Sequence, residues 1–272
     1  MSCMEGKSVN RKLYYIIVEL SKKHTKYRSV VFVSSTKKVV FISSIILNVL
    51  FIGVFAFYAT SSSAMKNPLS SKDSSKQSYR DNPYYIERTT LFKQLSIPKE
   101  SIVFLGDSIT QRSEWSELFH NKQIVNRGVA DDTTEGVLHR LKSITDAKPK
   151  KIFLMIGIND LNEQKSVKKT KANYAEILER IHKESPNTKV YIQSVLPVNN
   201  KKCGDAVDNK DVIALNNYLK RLAKKHNDSY IDLYSKVSTH NQLKSNFTVD
   251  GLHLKGQGYA IWKQEVQAYV NQ

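Results

Sequence analysis

Ser101-Ile102-Val103-Phe104-Leu105-Gly106-Asp107-Ser108-Ile109-Thr110 is the stretch on which the fold class of this chain turns. Ile102 to Leu105 is a short apolar run with the length and composition of a buried strand. It ends at a glycine, and a hydroxyl residue comes two places later, where the chain has to turn. A serine at the carboxyl end of a strand in an α/β sheet stands where such sheets bind ligands, so Ser108 is a candidate nucleophile. Asp107 or Ser108 would serve equally well as the cap of a following helix. Ten residues leave both readings open, and the rest of the chain has to separate them.

Downstream, strands and helices alternate. Strands are expected at Ile102–Leu105, Gln123–Asn126, Ile152–Ile156, Val190–Leu196 and Tyr230–Leu233. Ile152 to Ile156 is apolar on both faces, as a central parallel strand covered by helices requires. Between the strands, Tyr174, Ile177, Leu178 and Ile181 fall at the i, i+3, i+4, i+7 spacing of one buried helix face. Val212, Leu215, Leu219 and Leu222 mark a second such helix, and Val137, Leu138, Leu141 and Ile144 a third. A last helix is expected over Gln257–Val270. This alternation predicts a three-layer α/β/α domain with a mainly parallel sheet over residues 83–272. Pro83 to Leu95 reads as its first helix, with an apolar face of Tyr85, Ile86, Leu91 and Leu95.

Upstream the composition changes. Of the 272 residues, 40% are hydrophobic and 25% charged, ordinary for a globular protein, but the formal net charge is +17. Residues 1–38 carry +7 of it, from nine Lys/Arg against Glu5 and Glu19. Val39 to Ala59 then runs without a charge, about the length an α-helix needs to cross the hydrocarbon core. Lys37 and Lys38 abut it, and the basic segment predicts a cytoplasmic N-terminus. A transmembrane signal anchor over 39–60 is therefore expected, with the α/β domain extracellular. Its apolar run is longer than that of a cleaved signal peptide, although Ser62-Ser63-Ala64 offers small residues for processing. The Ser/Lys-rich segment 61–82 cannot bury enough surface to fold alone and reads as a flexible stalk. Cys3 and Cys203 cannot build a disulfide framework, and on this topology they lie on opposite sides of a membrane. No paired-Cys/His pattern or aromatic-laced basic stripe points to nucleic acid, and no HExxH-like spacing points to a metal.

The segments just after the strands carry the chemistry. Gly106-Asp107-Ser108 comes after the first, Asn126-Arg127-Gly128-Val129-Ala130-Asp131-Asp132-Thr133 after the second, and Gly157-Ile158-Asn159-Asp160 after the third. Asp250-Gly251-Leu252-His253 stands near the C-terminus. A parallel sheet brings such segments to one carboxyl edge. Ser108 needs a base to become a nucleophile, which His253 can be, and Asp250 can orient and stabilise the imidazolium. A tetrahedral oxyanion needs preorganised donors: the Ser108 N–H, an N–H of the 128–131 turn (Gly128 or Asp131), and the Asn159 amide. Asp107 and Asp160 read as caps or turn-formers.

In this order GDSIT, NRGVADDTT, GIND and DGLH resemble the four signature blocks of the SGNH, or GDSL-type, hydrolases. The branch most similar is that of the platelet-activating-factor acetylhydrolase catalytic subunits. Over roughly residues 83–270 the resemblance implies a flavodoxin-like fold and ester hydrolysis through an acyl-enzyme, with no cofactor or metal. It implies Ser108 as nucleophile, His253 as base, Asp250 as its partner, and Asn159 and the turn before Asp132 as the oxyanion hole. It also implies a short acyl group, such as acetyl, on a small molecule, glycan or lipid. The chain departs from the family at Asp131, where a glycine usually stands. Its backbone N–H survives the exchange, and Asp tolerates positive φ better than most residues, but its carboxylate must point away. The α/β-hydrolase elbow G-x-S-x-G is not met, since Thr110 stands where its second glycine would be. The polar loop Val198–Lys210 is expected to border the site, with lysines that could favour anionic glycans or headgroups. Rival readings on the same fold are a lysophospholipase or thioesterase, an O-acyltransferase, and a non-catalytic glycan-binding module.

Overall fold

The computed structural model describes residues 19, 20, 22, 38–44, 47–52 and 79–272, in two units, Met1–Lys72 and Asp73–Gln272. In the first unit, residues 38–44 and 47–52 are helical and expose Val39, Val40, Phe41, Ile42, Leu47, Val49, Leu50, Phe51 and Ile52. The polar groups of this stretch turn back onto the helix: Ser43 Oγ donates to Val39 O and Asn48 Nδ2 to Ser44 O, both at 2.8 Å. Among the described residues no helix is long and apolar enough to cross a membrane. Most of the basic segment, the rest of the 39–60 stretch and residues 61–78 of the expected stalk lie outside the described residues.

The described part of the second unit begins with a 3₁₀ turn, Tyr79–Asp81, inside the segment expected as stalk. Then come α1 (Pro83–Gln94), β1 (Ile102–Gly106), α2 (Ser108–Gln111), α3 (Trp115–Leu118), β2 (Ile124–Gly128), α4 (Thr134–Arg140), α5 (Lys142–Thr145) and β3 (Lys151–Met155). The chain continues through α6 (Ile158–Asn162), α7 (Val167–Glu184), β4 (Lys189–Gln193), α8 (Asn200–Cys203), α9 (Asn209–His226) and β5 (Ser229–Ile231). It closes with α10 (Tyr234–Val237), a two-stranded antiparallel ribbon β6 (Ser238–Thr239) and β7 (Gln242–Leu243), and α11 (Gly256–Asn271).

Five strands form a wholly parallel sheet in the order β2-β1-β3-β4-β5. This is the flavodoxin-like order, whose strand sequence reverses at β1, and sheets of this kind bind ligands outside the carboxyl ends of the strands at that reversal. One face carries an aromatic row set by the register: Phe104 pairs with Phe153 and Phe153 with Tyr191, with ring centroids 4.8 and 4.6 Å apart. Trp115 of α3 stacks on Phe104 at 4.2 Å and meets Trp262 of α11 edge-on, so α3 and α11 cover that face. The expected stripes of α7 and α9 are buried throughout. In the third helix the run breaks at Leu141 into α4 and α5, and Leu138 is only partly buried.

The first helix corrects the expectation. Its buried residues are Tyr85 and Phe92, while Ile86, Leu91 and Leu95 are exposed. Tyr85 and Phe92 stand two turns apart on one face, and what they meet is a small cluster of Tyr79 and Val129, separate from the main core. A helix with apolar residues on several sides buries whichever face finds a partner. β2 also runs two residues further than its expected end at Asn126, to Gly128. It pairs there with Gly106, bringing the second sequence block level with the first.

Candidate active site

Ser108 is the first residue of α2, and the carboxylate of Asp107 caps that helix by accepting the Ile109 N–H at 2.9 Å. The two readings of the opening stretch thus fall to different residues: the aspartate caps and the serine is free for other work. Ser108 Oγ lies 2.9 Å from His253 Nε2, and His253 Nδ1 lies 2.6 Å from Asp250 Oδ2. With the ring proton on Nδ1 and donated to Asp250, Nε2 is left to accept the serine proton. Ser108 and His253 are 145 residues apart in the chain, and the sheet edge brings them together.

Asp250 holds its own loop as well as the imidazole. Its Oδ1 accepts the N–H of Leu252 at 3.0 Å and of His253 at 2.8 Å, and Thr248 Oγ1 accepts the Gly251 N–H at 2.9 Å. Partial burial pushes this carboxyl up, but the bond from His253 and those two N–H groups outweigh it, so Asp250 stays well below the usual carboxylate range. It is ionised wherever an imidazolium would need it. Arg112 adds a distant cation, 3.9 Å from Asp250 Oδ2, with both side chains about half exposed.

Gly251 is required twice. Its φ is +89°, and a Cβ would stand 2.8 Å from Asn199 O and 2.9 Å from both N and Cβ of Cys203. The loop after β4 therefore packs on the acid–base turn, with Asn199 N–H donating to Gly251 O at 2.7 Å. Gly251→Ala is expected to displace this turn and lower kcat/KM by about a hundredfold while the protein still folds, because small misplacements of reacting groups cost that much. Steady-state kinetics beside a melting curve would test this; unchanged kinetics would refute it. In the same loop Lys202 Nζ donates to Ser245 O and Thr248 O at 3.0 and 2.8 Å, which makes it a brace of the Asp250 turn.

On the oxyanion side the structure discriminates among the named donors. The Gly128 N–H is already donated to Asn126 Oδ1 at 2.8 Å, a correction to its place among the candidates. Gly128 matters instead for contact, since a Cβ there would lie 2.3 Å from Gln111 N on the nucleophile's helix. The N–H groups of Ser108 and Asp131 are donated to no protein group among the described residues. Asp131 has φ 59°, the left-handed region that favours glycine, and its side chain is exposed. One hydrogen of Asn159 Nδ2 goes to Asp132 O at 2.9 Å, which fixes the plane of the amide and leaves its second hydrogen available.

Beneath these groups lies a buried polar scaffold that motif order does not announce. Arg140 Nε donates to Asp132 Oδ2 at 2.8 Å, Nη1 to Arg127 O at 2.9 Å and Nη2 to Gly106 O at 3.0 Å. Asp160 accepts the N–H and hydroxyl of Thr134, whose Oγ1 also accepts from Asn173 Nδ2 at 2.9 Å. The second block is thereby tied to the ends of β1 and β2 and to the third block. A signal existed for Arg140: it sits three residues after Val137, on the apolar face of its helix, where a charge needs a buried partner.

Burial raises Asp107 to about 7, against the Ile109 N–H and helped by the charges of Asp132 and Asp160. Burial likewise raises Asp132 to about 6, against the pull of Arg140. For Asp107 the folded value exceeds the unfolded one, so the folded state holds more protons between about pH 4 and pH 7. Stability from this group is present at low pH, falls as pH rises through that window, and is flat above it. Asp107→Asn keeps an acceptor for Ile109 and removes the charge. It is expected to be more stable than the parent at pH 8 by a few kcal/mol and to flatten the slope between pH 5 and 8 in denaturant titrations. An unaltered slope would show that Asp107 is not the group responsible.

Comparison with known proteins agrees with this geometry. Residues 104–261, more than half of the chain, match the GDSL-like lipase/acylhydrolase family. The chain is 30% identical over 167 residues to the platelet-activating factor acetylhydrolase IB subunit alpha2 of Rattus norvegicus, covering 58% of this chain and 71% of that one. A Streptococcus pneumonia structure described as a platelet activating factor superposes with a TM-score of 0.62 at 28% identity, covering 68% of this chain and 92% of that one. A GDSL-like lipase from Bacteroides thetaiotaomicron shares the fold, with a TM-score of 0.59 at 24% identity over 69% of this chain and 97% of that one. With its serine on the turn after β1 and its Asp-x-x-His turn near the C-terminus, the chain belongs to the GDSL-like lipase/acylhydrolase family, whose members hydrolyse carboxylic esters.

Proposed function

We propose that this chain is a membrane-anchored serine esterase that removes short acyl groups, acetyl foremost, from an acylated small molecule, glycan or lipid outside the cell. The observation that carries the proposal is the unbroken line of hydrogen bonds from Ser108 through His253 to Asp250. His253 Nε2 takes the Ser108 proton as Oγ attacks the ester carbonyl. The carbonyl oxygen becomes an oxyanion facing the Ser108 N–H, the Asp131 N–H and the Asn159 amide. The imidazolium, stabilised by ionised Asp250, returns its proton to the departing alcohol and leaves an acyl-serine. Water, deprotonated by His253, then attacks the acyl-serine through a second oxyanion, whose collapse releases the carboxylic acid while the imidazolium returns its proton to Ser108 Oγ.

Preference for a short acyl group is supported by the acetylhydrolase among the relatives. Membrane anchoring is supported by the uncharged stretch 39–59 and the basic residues before it. The test is a panel of p-nitrophenyl esters from acetyl to long chains, with acetylated glycans and phospholipid esters, acted on by the full chain. Ser108-dependent hydrolysis falling with chain length supports the proposal. A preference for long chains points to a lysophospholipase or thioesterase, and transfer to a glycan acceptor in place of water to an acyltransferase. External protease on intact cells is expected to digest the domain and spare an N-terminal tag; the reverse pattern would refute the topology.

A further inference from the structure

The oxyanion turn is held from a side that lies outside the family match. Val129 is fully buried, yet it packs with Tyr79, Tyr85 and Phe92, all from the segment ahead of β1. Ala130, the next residue, donates its N–H to Gln111 Oε1 at 2.7 Å, and Gln111 Nε2 donates to the hydroxyl of Tyr84. Arg127, before the turn, lies over the Phe92 ring at 4.7 Å and donates from Nη2 to Leu95 O at 3.0 Å. Beyond the turn, Tyr85 OH donates to Gly136 O at 2.7 Å, on α4. Thus α1 and its flanks grip the residues before, within and after the turn, while the matched family region begins only at residue 104.

Asp131 is the residue this grip serves. It sits at φ 59°, a conformation that a residue with a Cβ leaves readily unless its neighbours hold it there. Val129 and Ala130, the two residues before it, are fixed by burial and by a hydrogen bond respectively. We propose that Gln111, at the end of α2, and Tyr84, on α1, are positioning residues for the oxyanion hole: through Ala130 they hold the Asp131 N–H where a tetrahedral oxyanion forms. This inference rests on the esterase reading above and makes the helix ahead of β1 part of the active site. A preorganised donor acts on the transition state more than on the bound ester, so its loss appears in kcat more than in KM.

The test compares Gln111→Leu, Gln111→Glu and Tyr84→Phe in the full chain, with p-nitrophenyl acetate as substrate. Gln111→Leu removes the Ala130 acceptor and is expected to lower kcat by about tenfold to a hundredfold, with KM changed by no more than about threefold. Amide hydrogen exchange over residues 128–132 is expected to speed up in the same variant. Gln111→Glu keeps an acceptor for the Ala130 N–H and another for the Tyr84 hydroxyl, so both readouts are expected to return most of the way. Tyr84→Phe, at a partly exposed side chain, is expected to lower kcat by a few fold and decides the matter if Gln111→Leu fails to fold. Unchanged kcat in Gln111→Leu and Tyr84→Phe, a loss confined to KM, or a Gln111→Glu loss as deep as that of Gln111→Leu would each overturn the inference while leaving the esterase standing. A parent protein without Ser108-dependent hydrolysis would overturn both.

Discussion

Replacing Ser108 by alanine is expected to lower kcat/KM toward p-nitrophenyl acetate by about 10⁴-fold or more and to abolish covalent labelling by a fluorophosphonate. The side chain is 3% exposed and loses only one oxygen, so the melting temperature should barely move, which separates chemistry from folding. On the proposed mechanism, what would remain after the substitution is transition-state stabilisation by the Ser108 and Asp131 N–H groups and the Asn159 amide, which would hold an oxyanion but attack nothing. His253→Gln should lose a similar amount, and the double variant little more, because the two side chains act as a unit. Asp250→Asn should also be severe. Its Oδ1 could still accept from Leu252 and His253, but an amide NH₂ facing His253 Nδ1 would favour the wrong tautomer. A Ser108→Ala protein that keeps more than a tenth of the parent activity, or a parent that takes no label, would remove the serine-esterase assignment and favour a binding module.

Arg140→Met is expected to destabilise the domain by about 3–5 kcal/mol, because it leaves a buried carboxylate without its partner. The ion pair is almost fully enclosed, with side-chain exposures of 5% for Arg140 and 0% for Asp132. The same guanidinium also donates to the carbonyls of Arg127 and Gly106, so three buried acceptors lose a hydrogen bond together, Gly106 O keeping the Val129 N–H at 3.1 Å. Burial already pushes Asp132 up to about 6, and without Arg140 to oppose it the carboxyl should be neutral at ordinary pH. The deficit of Arg140→Met should therefore be larger at pH 8 than at pH 5, when measured by denaturant titration. Adding Asp132→Asn should recover part of it. A loss independent of pH and unrelieved by Asp132→Asn would mean that packing, not the buried charge, sets the cost.

Much of the architecture is legible in the order of residues alone. The stripes Tyr174/Ile177/Leu178/Ile181 and Val212/Leu215/Leu219/Leu222 are all buried because a helix facing a sheet has one partner and its period leaves no second solution. Ile152 to Met155 are readable as a central strand because both faces have to be apolar. The first helix is not readable in this way. Tyr84, Leu91 and Leu95 stay outside while Tyr85 and Phe92 go in, and the choice is made by Val129 and Arg127, some 35 to 45 residues away.

For the site, residue types and chain order determined the chemistry on offer: a hydroxyl after β1, an amide after β3, and an Asp-x-x-His turn whose acid lies within reach of its own imidazole. Which N–H of the 128–131 turn remains for an oxyanion could be decided only by tertiary structure, because it depends on competing acceptors. Asn126 claims Gly128, Gln111 claims Ala130, and Asp131 is left. The same holds for Arg140, whose carboxylate and carbonyl partners come from two strand ends and a turn. Periodicity and motif order record what each segment must bury and what it can donate. Hydrogen-bond satisfaction is a property of the packed whole, and only there does it emerge which donors are used up and which are left for substrate.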